Sequence, residues 1–228
     1  MYFKIKKIYK IILFVLVFFI LLFGIYFYKL HALALEGNKI FEYRCTNVNP
    51  QLISYKNSFL KFADYLKNPN KYTDDEVKSF LDGYIMGMRD YVDEENKWLE
   101  MQGNFMNRWD FKFVEPDYLK EAGGYQWKMY EGYRDEAVYM LATYDNGATE
   151  EITAKFKEAR DRRSKYVGLY EDIFDREAGR SDWRKYFGSV PVPEKCNDSN
   201  LIIPDTSGAL DQQGPTPNFV PNNDGAAS

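Results

Sequence analysis

Apolar residues fall along this chain in three regimes. From Ile11 to Tyr28 they are continuous, broken by no charged residue and a single Gly. From about residue 49 to 189 they recur every three or four positions among polar neighbours, and beyond 190 they thin out into Pro, Asn, Gly and Ser. The continuous run predicts a helix of about 27 Å at roughly 1.5 Å per residue, close to the hydrocarbon thickness of a bilayer. A core helix needs no apolar residue on its outer side, so a run that is apolar around its whole circumference points to lipid.

The periodic region predicts four helices. Asn49 as N-cap and Pro50 in the first turn open one whose apolar positions are Leu52, Tyr55, Phe59, Phe62, Ala63 and Leu66, closed by Asn68-Pro69-Asn70. Thr73-Asp74-Asp75-Glu76 reads as a capping box, in which hydroxyl and carboxylate each satisfy an orphan backbone N–H. The stripe after it, Val77, Phe80, Leu81, Tyr84, Ile85, Met88, Tyr91 and Val92, should run to about Gln102, with Gly103 as its stop and Gly83-x-x-x-Gly87 allowing a close helix approach. A third pattern begins near Pro116, is weakened at Gly123-Gly124, and resumes through Tyr130, Tyr133, Ala137, Leu141 and Tyr144 to Asn146-Gly147. The fourth is capped by Thr149, shows Ile152, Phe156, Ala159, Tyr166, Tyr170 and Phe174, and ends near Gly179, with one short helical turn after Ser181. The expected fold is therefore all-α: an N-terminal transmembrane helix, an up-and-down bundle of about four helices and a disordered C-terminal tail. The implied organisation is a basic cytoplasmic segment (1–10), a transmembrane signal-anchor (11–28), a linker (29–48), an extracytoplasmic bundle (49–189) and a Pro-rich, largely disordered tail (190–228).

Charge adds an orientation. Lys4, Lys6, Lys7 and Lys10 precede the apolar run and Lys29 alone follows it closely, so the positive-inside rule places the N-terminus in the cytoplasm and the bundle across the membrane. Tyr26, Phe27 and Tyr28 stand where an interfacial aromatic belt would be. A second reading is secretion after signal cleavage, because Ala32-Leu33-Ala34 has the small-x-small pattern of a cleavage site. Five of the 30 basic residues lie in the first 29 positions, which hold no acid, while all 34 acids follow. A domain so acidic has no basic face for phosphate, which excludes nucleic acid as a partner.

Candidate chemistry is sparse. The only histidine, His31, lies at the end of the anchor, which removes His-dependent catalysis and His-bearing metal sites from the domain. No phosphate-binding glycine motif occurs, so neither cofactor nor metal is expected, and no residue is assigned to catalysis. Cys45 and Cys196 bracket the bundle and are expected to pair in an oxidising compartment. Arg134 and Arg163 fall on apolar stripes, where each needs a carboxylate such as Glu131, Asp135 or Glu136, or else a bound anion. The connection from Gly103 to Glu115 carries Phe105, Arg108, Trp109, Phe111 and Phe113, which read either as partner-contact anchors or as a cover folded over the bundle's end. The functional expectation is a membrane-anchored, non-enzymatic protein-interaction or envelope structural component. A bundle binding a small apolar or anionic ligand and a carboxylate-dependent hydrolase of envelope polymers are the alternatives.

Overall fold

The computed structural model describes residues 2–177, and every regular element among them is helical. Helix α1 (Tyr2–Tyr43) passes through one π-helical turn (Arg44–Val48) straight into α2 (Asn49–Lys67), so a single rod carries the chain from the apolar run to Lys67. A 3₁₀ turn (Pro69–Lys71) reverses it into α3 (Asp74–Asn107), followed by the short α4 (Trp109–Val114), then α5 (Asp117–Asn146) and α6 (Glu150–Glu177). Contacts fix the directions. Gly83 of α3 lies on Ser58 of α2 while Glu94 meets Tyr43, so α3 runs antiparallel to the rod. Arg89 pairs with Asp145 and the Trp127 indole N–H donates to Leu99 O, so α5 is antiparallel to α3. Asp135 meets Arg162 and Glu121 meets Arg176, so α6 is antiparallel to α5. This is an up-and-down helical bundle.

Local chemistry sets several of these boundaries. The capping box forms: Thr73 Oγ1 accepts from the Glu76 N–H at 3.3 Å, and Glu76 Oε2 accepts from the Thr73 N–H at 2.8 Å. Gly87 is required where it stands, because an added Cβ would come within 2.9 Å of Tyr55 Cβ and 3.0 Å of its Cα. α3 continues four residues past Gly103, and α5 is unbroken through Gly123 and Gly124. Both differences from the sequence expectation share a cause. Gly103 faces the Trp127 indole and Gly123 the Met106 sulfur across the α3–α5 contact, so both glycines sit within packed helices and do not end or split them.

Residues 29–48, expected as a linker, are helical throughout, and Leu30, Leu33, Ile40, Arg44 and Val48 are buried. Asn49 correspondingly does not cap a helix start: it is helical, and its backbone N–H donates to Arg44 O, five residues back. In a regular α-helix, Pro50 would lack its N–H partner and press its ring on the carbonyl four residues earlier. The wider π turn ahead of it relieves that crowding and inserts one residue into the helical register. The insertion keeps the inward stripe in phase. Leu30, Leu33, Gly37, Ile40 and Arg44 advance by alternating threes and fours, and Val48, Leu52, Tyr55, Phe59 and Phe62 resume that alternation after one added residue.

The core extends along the rod from Leu30 and Leu33, packed with Phe105, Phe111 and Val114, to Tyr84 and Ile85, with Trp98, Tyr91 and Met88 near its middle. Residues Ile11 to Phe23 are exposed on every side of α1, and this part of the helix is long and apolar enough to cross a membrane. The expected tail, the short turn after Ser181 and Cys196 lie outside the described residues.

Candidate functional site

The residues singled out between Gly103 and Glu115 divide into two sets. Phe105 ends α3 facing the rod, with its ring beside Gly37 and 5.0 Å from the Phe111 ring, and both Phe are 8% exposed. Trp109 and Phe113, one helical turn apart on α4, are 72% and 78% exposed. The segment is therefore a short amphipathic helix with Asp110, Phe111 and Val114 turned inward and Trp109, Lys112 and Phe113 outward.

Polar contacts fasten α4 to the rod where the apolar run ends. The Tyr26 hydroxyl donates to Val114 O at 3.1 Å, and Lys29 Nζ stands 3.7 Å from Asp110 and 5.9 Å from the Trp109 ring centroid. Arg108 donates through Nε and Nη2 to the two Asp110 oxygens at 3.0 and 2.9 Å and also bonds Glu36. The Arg108 fork, more than any other group, holds the Asp110 carboxyl below its ordinary range, and Asp110 in turn holds Arg108 above its own.

A second polar group lies deeper, at the π turn. Arg44 Nη1 donates to Glu95 Oε1 at 2.5 Å, with the two side chains 4% and 0% exposed. The guanidinium lies over the Tyr130 ring at 3.4 Å and the Trp98 ring at 4.4 Å, so α3 and α5 clasp it between aromatic faces. Burial is the largest single influence and opposes the charge, but Tyr130 and Glu95 outweigh it and keep Arg44 above its ordinary value. Burial raises the Tyr91 hydroxyl well above its ordinary value, and the neighbouring Glu95 adds to that. Sequence reasoning missed Arg44 and Glu95. The signal was available, since Arg44 continues the spacing of Leu30, Leu33 and Ile40.

Arg134 and Arg163 lie on facing helices, each held by a carboxylate. Arg134 Nη2 is 2.6 Å from Asp135 and its Nη1 donates to Asn96 at 3.0 Å, while Arg162 reaches Asp135 from α6. Arg163 Nε stands 2.5 Å from Glu136 Oε1, with the guanidinium 4.7 Å from the Tyr133 centroid. Desolvation pushes the Glu136 carboxyl up despite Arg163. Gly132 makes the crossing possible, since an added Cβ would come within 2.8 Å of Arg163 Cβ. Cys45 lies inside the π turn that leads into α2, well along the rod from Lys29. Among the described residues no three His, Cys, Asp or Glu side chains form a group that could hold a metal ion. Comparison with protein-family models, curated protein sequences and solved structures finds no match to this chain.

Proposed function

We propose that this chain is a single-pass membrane protein whose helical bundle serves as a non-enzymatic interaction or structural component of the envelope, held at a fixed height and angle. The observation that carries this reading is the unbroken rod: the helix bearing the apolar run supplies Leu30, Leu33 and Ile40 to the bundle core, and the π turn that continues it supplies Val48. An enzyme or receptor on a flexible tether would need no such continuity. From Lys29 to Lys67 the rod reaches about 58 Å at roughly 1.5 Å per residue. Sides of the bundle farther along it, where Ile53, Leu60 and Met86 are exposed, are available to a protein partner. The existing carboxylate partners of Arg134 and Arg163 favour a structural role over an anion site.

The retained anchor is favoured over secretion by the same core. Cleavage after Ala34 would remove Leu30 and Leu33 from it, together with the Tyr26 and Lys29 contacts to α4. The Lys cluster supports a cytoplasmic N-terminus and a bundle across the membrane. Pairing of Cys45 with Cys196 is supported by the absence of a free thiol at Cys45, and would tie the segment after α6 to the rod near the Arg44–Glu95 pair.

Reporter fusions at the C-terminus test the orientation: activity of an export-dependent reporter is expected, and activity of a cytoplasm-only reporter overturns it. Crosslinking of the full chain in its native membrane, with photoreactive side chains at Ile53 and Leu60, tests the interaction role. A discrete protein adduct is expected, and adducts with none but lipid and solvent overturn it. Non-reducing mass spectrometry is expected to find the Cys45–Cys196 peptide pair. Alkylation of both thiols in freshly isolated protein excludes it.

A further inference from the structure

We propose that α4 is a membrane-interface foot, with Trp109 and Phe113 seated in the headgroup region of the same leaflet from which the rod emerges. The inference rests on reading Ile11–Tyr28 as a membrane span. Given that span, the height of α4 is fixed by contacts with residues of known depth. Val114 O is bonded by Tyr26, two residues inside the end of the apolar run, and Asp110 and Trp109 approach Lys29, the first charge beyond it. One helical residue rises roughly 1.5 Å, so α4 sits within a few ångströms of the plane where the run ends. No placement of the bilayer that covers the apolar run leaves α4 far out in water.

The side chains suit that plane. Trp109 and Phe113 would be costly as exposed aromatic surface in water, whereas Trp is enriched at membrane–water interfaces and an aromatic ring gains there by leaving water. Lys112 lies between them on the outward side, with a stem long enough to keep its ammonium among the headgroups. Tyr28 and Ile25 of the rod are themselves exposed at this level, continuing the apolar surface from the span. The charges of Arg108 and Asp110 would be expensive near lipid. They are instead spent on each other and on Glu36, and Asp110 is buried. With the rod in the bilayer and a second contact beside it, the bundle would be fixed in tilt as well as in height.

Photocrosslinking of the full chain in lipid nanodiscs tests this, with benzoyl-phenylalanine placed in separate variants at Trp109, Phe113, Tyr144 and Phe23. Tyr144 is half exposed near the far end of α5, and Phe23 lies inside the apolar run. Lipid adducts are expected at Phe23, Trp109 and Phe113 and lost at Tyr144. Adducts at Phe23 without any at Trp109 or Phe113 overturn the foot while leaving the span intact. Adducts from Trp109 or Phe113 to a second copy of the chain, in place of lipid, overturn it in favour of a self-association surface. No adduct at Phe23 overturns the span, and the foot with it. All four positions are exposed, so none of the replacements disturbs the core.

Discussion

The Glu95 carboxylate is stable in the interior because of the Arg44 guanidinium, which is itself held by Glu95 and the Tyr130 and Trp98 rings, and that dependence can be measured. Arg44→Met leaves a buried carboxylate without its cation and should cost about 3–5 kcal/mol, whereas Arg44→Met with Glu95→Leu should recover most or all of it. Thermal melts of the two variants check this, and equal losses would mean that the pair itself supplies the stability. Around α4, single residues separate core from surface in the same way. Phe111→Ala should lower stability by about 3–5 kcal/mol, while Trp109→Ser and Phe113→Ser should each stay within about 0.5 kcal/mol of the native chain. At the α2–α3 turn, Asp64 accepts from Lys71, Tyr72 and Asn68, and these bonds, that of Lys71 foremost, bring its carboxyl down from 3.8 to about 2. A lowered folded-state value means that the contribution is present above the ordinary value and is lost as the pH falls through the folded one. The melting-temperature gap between the native chain and Asp64→Asn should therefore be constant from neutrality to about pH 5 and close as the pH approaches about 2. A gap that persists at pH 2 would show that the turn does not depend on the Asp64 charge.

At Gly87 and Gly132 an added Cβ would come closer than 3.0 Å to the neighbouring helix, whereas Gly168 of α6 faces open space, so Gly132 and Gly168 should respond oppositely to alanine. Gly132→Ala would drive a methyl to 2.8 Å from Arg163 Cβ and 3.1 Å from Ala159 O, so it should separate α5 from α6 at a cost of about 1–3 kcal/mol. Gly168→Ala meets nothing within 4 Å and should instead gain about 0.5–1 kcal/mol from the lower entropy of the unfolded chain. Denaturant titration of the two variants distinguishes them by sign. The same distinction explains what was legible at this scale. The capping box at Thr73 and the close approach at Gly83 and Gly87 follow from local spacing and read directly from the sequence. Gly103 and Gly123 read as breaks because a helix-weakening residue and one that admits a neighbour look alike until the neighbour, Trp127 or Met106, is in place. Pro50 read as a helix start for a related reason: whether a proline opens a helix or sits within one depends on the turn before it, and a π turn leaves no compositional mark.

Across the whole molecule, the apolar run and the bundle were each legible, but not that they share one helix. Residues 29–48 mix Ala, Gly, Asn and charge, which masks their inward stripe, and its continuity with the stripe of α2 shows only when the extra residue of the π turn is counted. The candidate site was half legible for a similar reason. Its aromatic residues stand out in the sequence, while the division into buried Phe105 and Phe111 and exposed Trp109 and Phe113 needs the position of α4 against the rod. Continuity also makes a prediction that a linker would not. A fragment beginning at Tyr26 keeps the bond to Val114 O, the Lys29–Asp110 contact and both Leu30 and Leu33, whereas one beginning at Leu35 loses all of them. At ~1.5–3 kcal/mol for each fully buried leucine, the shorter fragment should be less stable by about 3 kcal/mol or more, a large share of the 5–15 kcal/mol typical of a folded protein. Melting of the two fragments side by side in the same mild detergent measures the difference. Bundles tethered through an independent linker would melt together, and coincident transitions would mean that the rod ahead of Leu35 contributes nothing to the core. Separation by several degrees, with the longer fragment higher, is the outcome that a shared helix requires, because the loss falls on core positions that no residue after Ala34 can refill.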